Sequence, residues 1–136
     1  MRPHTSPLSG PFAEIDLAAE LAALEREPAW TASGHNAKTL IKYPTLRVVL
    51  IAIRQGGRIP VHETEGRITI QTVSGHVRVH AADRVFDLAA GRLLALDRSV
   101  RHDVEALADS AVVLTIAWPE ASAEPRTGDT REGAAD

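Results

Sequence analysis

Cysteine is absent from the 136 residues, and that removes disulfide frameworks, thiolate nucleophiles and every metal centre built on sulfur ligands. A metal in this chain must be held by histidine, carboxylate or water. A surplus of basic charge is missing as well: the formal net charge is -3 and the pI about 6.1, so the chain offers no footprint for a phosphate backbone, and no nucleic-acid partner is expected. No apolar run approaches the roughly 18 to 20 residues of a membrane span. The opening MRPHTSPLSGPF lacks the apolar stretch of a signal peptide, so the expectation is a cytoplasmic protein with no membrane partner. There is no internal repeat. At 14.6 kDa the length is that of one domain able to close its own hydrophobic core.

Residues 1–13 hold three of the eight prolines among Ser, Thr and Gly, a composition expected to form a flexible leader. From the N-cap residue Asp16, Leu17, Leu21 and Leu24 recur at helical spacing, which predicts one amphipathic helix over 16–27, closed by Pro28. Trp30 reads as a ring covering the seam between that helix and a sheet. Residues 31–36 read as a polar loop. The run LRVVLIAI at 46–53 is apolar on both alternating faces, so one face lines a core and the other requires the helix, a second sheet or a second subunit. Beyond it, turn residues recur every eight to twelve positions between β-branched runs, the pattern of an all-β sandwich or barrel, here expected over about 38–118. The last strand, VVLTIAW, ends before Pro119, and from 120 onward the tail is expected to be disordered.

The chemistry concentrates in GRIPVHETEGRITIQTVSG, residues 57–75, a predicted hairpin with His62 near its mouth. Gly56, His62, Thr64, Ile68 and Gly75 stand at the intervals of the pattern G(X)5HXH(X)3-4E(X)6G, and Gly91, Asp97, Ser99, His102 and Ala106 at those of G(X)5PXG(X)2H(X)3N, with 15 residues between the two. Over roughly residues 46–118 the chain therefore resembles the cupins, and the resemblance implies a small RmlC-like jelly-roll β-barrel.

In the metal-bearing members that the resemblance brings in, two histidines and a carboxylate of the first pattern and the histidine of the second hold a divalent ion. Here His62 and His102 remain, while Thr64 and Ile68 stand in place of a histidine and the carboxylate. Strand parity turns Gln71, Glu63, Glu65, Asp103 and Glu105 away from the interior that position 68 faces, so none of them refills the shell. His76 and His80 share a face with Arg78 and read as a solvated polar face, and His4 and His35 receive no role.

Two functional expectations follow. The first is a non-catalytic or unassigned cupin that binds a small molecule in a pocket lined by His62, Thr64, Ile70, His102 and Val104. The second is a metal-dependent enzyme, dioxygenase- or isomerase-like, in which His62 and His102 hold Fe, Mn, Ni or Zn and an organic acid or sugar-like substrate reaches the open side. A third arrangement satisfies the two imidazoles with each other, with Thr64 or with water, without an ion. No acid, base or nucleophile suggests a metal-free reaction. The doubly apolar strand also leads to the expectation of a homodimer.

Overall fold

Strands formed by alternating apolar residues make up most of the computed structural model, which describes residues 10–62 and 65–119, with the backbone alone at positions 61 and 62. Most of the expected leader and all of the tail lie outside the described residues. At 10–13, the Tyr43 hydroxyl donates to the Gly10 carbonyl (2.6 Å).

Helix α1 runs over Leu17–Glu25 and is capped as expected, with the Asp16 carboxylate accepting from the Ala19 N–H at 3.1 Å. It ends earlier than predicted. Pro28 does not merely end it but opens a second short helix, α2, over Pro28–Ala32. A proline lacks an N–H that the first turn of a helix leaves unbonded anyway, and its fixed φ suits that position. The expected polar loop is thus divided between α2 and strand β1, His35–Tyr43.

The remaining strands are β2 Leu46–Ile53, β3 Arg58–His62, β4 Arg67–Ser74, β5 His76–Ala81, β6 Arg84–Ala89, β7 Leu93–Leu96, β8 His102–Ala106 and β9 Ser110–Ala117. They form two antiparallel sheets, a five-stranded one in the order β1-β2-β9-β4-β7 and a four-stranded one in the order β3-β8-β5-β6. Consecutive strands β3 and β4 fall in different sheets, as do β7 and β8, so the sheets face one another as a jelly roll. The all-β expectation holds.

Between the sheets lies the main core, built from the inner parity of each strand: Val49 and Ile53 on β2, Ile68 and Ile70 on β4, Val77 and Val79 on β5, Val104 on β8, Val112, Leu114 and Ile116 on β9. The outer parity of β2 belongs to a second cluster, where Leu50 and Ala52 pack with Leu24 of α1, Leu40 and Ala111. Helix α1 is therefore the cover that the outer face of LRVVLIAI requires. A register slip between Thr39 and Ile41 lets Leu40 and Ile41 both join this cluster, and Trp30 packs against it too. Polar ties fix the helices on the sheet: the Asn36 amide donates to the Leu24 carbonyl (3.0 Å) and to Glu27 (2.7 Å), and Lys38 pairs with Glu20 at 2.8 Å. Among the described residues no helix is long and apolar enough to cross a membrane.

Candidate ligand site at the barrel mouth

Two crossings between the sheets define one end of the barrel. At this end β3 stops at His62 in one sheet and β4 starts at Arg67 in the other, and residues 97–101 carry the chain from β7 to β8. His102 stands at this end. It shares the inner parity of Val104 and Ala106 and is only 3% exposed. Its ring Nδ1 lies 3.0 Å from the Val100 carbonyl oxygen. A carbonyl only accepts, so in the neutral ring Nδ1 carries the hydrogen and Nε2 keeps its lone pair directed elsewhere. Backbone pairing puts His62 opposite His102. Glu63 and Thr64 lie outside the described residues, as does the side chain of His62.

The rest of the expected pocket falls into the core. Ile70 and Val104 are buried members of the main apolar cluster, and Ile68, at the position where the resemblance implies a carboxylate, is 3% exposed beside them. Gln71 and Glu65 are exposed, as parity requires. Among the described residues no group of three His, Asp or Glu side chains could share an ion.

One residue at this end was overlooked in the sequence. Arg47 is 8% exposed and faces inward, in register with Ile116, which in turn pairs with Ile68 and through it with Leu96. Its guanidinium lies 5.4 Å from the centre of the Trp118 ring. The signal was available: in LRVVLIAI the arginine alternates with Val49, Ile51 and Ile53, so a charge occupies core parity. Outside the mouth, Glu65, Arg67, Asp97, Arg98 and Ser99 line an open depression of about 500 Å³. There Arg67 pairs with Asp97 at 2.8 Å, and the Arg98 backbone N–H donates to the same oxygen at 2.7 Å. That N–H bond and the Arg67 charge hold the Asp97 carboxyl below the ordinary carboxylate range. Ser99 takes φ 64, a left-handed conformation where the second pattern has glycine.

No protein-family model and no curated protein sequence matches the chain. Solved structures do. An RmlC-like cupin from Shewanella frigidimarina is 20% identical over an alignment covering 64% of this chain and 78% of that one, with a TM-score of 0.60. An RmlC-like cupin protein from Desulfovibrio desulfuricans is 26% identical and covers 61% and 81%, with a TM-score of 0.57. This chain has the cupin fold. An enzyme is similar in fold as well: salicylate 1,2-dioxygenase from Pseudoaminobacter salicylatoxidans aligns at 21% identity and a TM-score of 0.62, over 73% of this chain and 30% of the dioxygenase.

The outer face of the four-stranded sheet carries a second polar assembly, at positions whose sequence pattern reads as a solvated face. Asp103, next to His102 but on the opposite parity, is only 6% exposed. Its carboxylate accepts from Arg58 at 2.9 Å and from the His80 ring Nδ1 at 2.8 Å. Arg78 pairs with Asp87 at 2.9 Å on the same face. Burial pushes the Asp103 carboxyl up, and the hydrogen bonds and charges of Arg58 and His80 more than offset this, holding it below the ordinary value. His80 is thus a half-buried partner of a carboxylate. The network requires β5 and β3 both to pair with β8, a long-range fact invisible in any local pattern.

Proposed function

We propose that this cupin binds a small molecule at the mouth of its barrel, between the His62–His102 pair and the apolar walls of the interior, and that any divalent ion there is held weakly. The observation that carries the reading is the composition around His102: a buried imidazole with its tautomer set by Val100, facing an interior in which the ligand position of the first motif is Ile68. The described residues do not fit a tightly bound ion. Two neutral imidazoles supply far less affinity than three or four donors, and protons compete with an ion for each of them.

One feature favours the metal-dependent alternative. A ring whose Nδ1–H is held by a carbonyl presents Nε2 in the manner of a ligating histidine. If Fe, Mn, Ni or Zn were bound, His62 and His102 would hold it, and the ion would supply Lewis acidity toward a ligand oxygen. What the chain itself contributes is orientation of the His102 ring and an apolar wall that excludes water.

Self-association belongs to the same proposal, on a narrower footing than the doubly apolar strand first suggested. Helix α1 covers Leu50 and Ala52, but the outer side of β4 and β7 beyond it presents Thr69, Gln71, Ala95 and Leu93, with Leu93 63% exposed, beside Arg67, whose charge is paired with Asp97. A patch whose bordering charge is paired can meet its own copy across a two-fold axis without strong repulsion.

One experiment reads both parts. The full chain, purified without chelator or metal-affinity tag and dialysed at pH 6, is passed over a sizing column with light scattering, and the peak is taken for elemental analysis. The expected result is a mass near twice 14.6 kDa with metal well below one ion per chain. A monomer mass would refute the dimer. Stoichiometric metal that survives the dialysis would overturn the weak-site reading and make the enzyme alternative the better one.

A further inference from the structure

We propose that two copies of the chain join by pairing of β7 with β7, so that their five-stranded sheets run on as one. This rests on the self-association proposed above and names the edge and the register that carry it. A strand at a sheet edge leaves the N–H and C=O of every second residue without a partner, and protein edges are ordinarily blunted against further pairing. Three of the four edges here show such devices. β1 carries Lys38, Lys42 and the register slip between Thr39 and Ile41, and β3 carries Pro60 and a slip between Ile59 and His62. β6 carries Arg84 and Asp87. By contrast β7 reads Leu-Leu-Ala-Leu, with no charge, no proline and an unbroken register against β4.

The ladder to β4 fixes which backbone groups are open. The Thr72 N–H donates to the Arg92 carbonyl at 3.1 Å, so by antiparallel alternation Leu94 and Leu96 turn their N–H and C=O toward β4, while Leu93 and Ala95 turn theirs outward. Among the described residues no hydrogen bond reaches those outward groups. A two-fold axis through Leu94 sets Leu93 opposite Ala95 of the partner subunit and Ala95 opposite the partner's Leu93, and each such pair exchanges both bonds. A large side chain then meets a small one on the outer face. The pairing is short, and apolar surface adds to it: Leu93 is 63% exposed, and Val73, two residues beyond Gln71, which pairs with Leu93, is 39% exposed. Antiparallel pairing also brings the Arg92 end of one strand to the Asp97 end of the other. Asp97 uses one oxygen for both Arg67 and the Arg98 N–H, which leaves the second for Arg92 of the partner subunit. An axis through Ala95 would instead oppose Leu93 to the partner's Asp97 and Arg92 to the partner's Arg98, apolar against charge and like against like.

The test follows amide hydrogen exchange in the full chain, residue by residue, at a concentration where light scattering gives the dimer mass. In an unpaired edge the Leu93 and Ala95 amides would exchange at least about tenfold faster than those of Leu94 and Leu96. The expected result is that this alternation is absent and all four amides are protected alike. Ala95→Pro removes an N–H that does not point to β4, so the fold is kept, and the dimer dissociation constant should rise at least about tenfold. Val85→Lys, at an exposed apolar position on the β6 edge, should leave it unchanged; loss of the dimer in that variant would move the contact to the other sheet and overturn the inference. A dimer with fast Leu93 and Ala95 amides, or one that keeps its affinity in Ala95→Pro, would overturn edge pairing and leave a dimer formed through the sheet face. If Ala95→Pro does not fold, the exchange pattern of the parent decides. A parent chain that stays monomeric at every concentration reached overturns the self-association together with this inference.

Discussion

Gly75→Ala is expected to destabilise the domain by about 4 kcal/mol, a large part of the roughly 5 to 15 kcal/mol that holds a domain of this size together. Two costs add. Gly75 takes φ +83, where an L-residue loses about 1 to 2 kcal/mol. A Cβ there would also run into the Asp109 carbonyl and into Ser110. Those atoms cannot yield cheaply, because the Ser110 hydroxyl accepts from the His76 N–H (3.0 Å) and donates to the Ala108 carbonyl (2.6 Å). Overpacking of this kind typically costs a further 1 to 3 kcal/mol. Gly91→Ala is the internal control. It has φ +92 but nothing within 4 Å of the new Cβ, so it should show the conformational cost alone, about 1 to 2 kcal/mol. Urea unfolding of both variants measures the difference, and equal losses would show that the crowding at Gly75 contributes nothing.

Asp103→Ala is expected to cost about 2 kcal/mol at neutral pH. Removing one member of a buried ion pair can cost more, but here the loss is moderated because Arg58 and His80 are half exposed and regain water when the carboxylate goes. The pH dependence has a definite sign. The Asp103 carboxyl is depressed in the folded protein, so the unfolded chain binds its proton first as the solution is acidified. The stabilisation is therefore complete above about pH 4 and is lost as pH falls through the lower folded-state value. Asp103→Asn should flatten that acid limb relative to the parent. Denaturation curves from pH 7 to pH 2 check this, and parallel curves for the two proteins would remove the network from the account.

Much of the architecture was legible because it is written in short periods. Alternation in LRVVLIAI gave the two faces of β2, parity put Ile68, Ile70 and Thr72 inward and Gln71 outward, and the spacing of Gly56, Gly75 and Gly91 picked out three positions with positive φ. The features that escaped depend on other information. Pro28 stops one helix and starts another, and only the path of the chain distinguishes these roles. The burial of Asp103 depends on strands far apart in sequence coming to lie side by side. Arg47 was the avoidable miss, a charge at core parity in a strand read for its apolar residues. The site is legible only in outline, because what Thr64 and the His62 ring do lies outside the described residues.

The most direct test of the account is whether the His62 and His102 rings share one interior. Nuclear Overhauser measurements between their ring protons, in histidine-labelled protein with His62→Ala and His102→Ala used for assignment, read this without assuming a ligand. A cross-peak between the rings is expected, with His102 showing the proton on Nδ1 that its bond to Val100 implies. Absence of the cross-peak, with both ring signals assigned, would contradict a shared site at the mouth of the barrel.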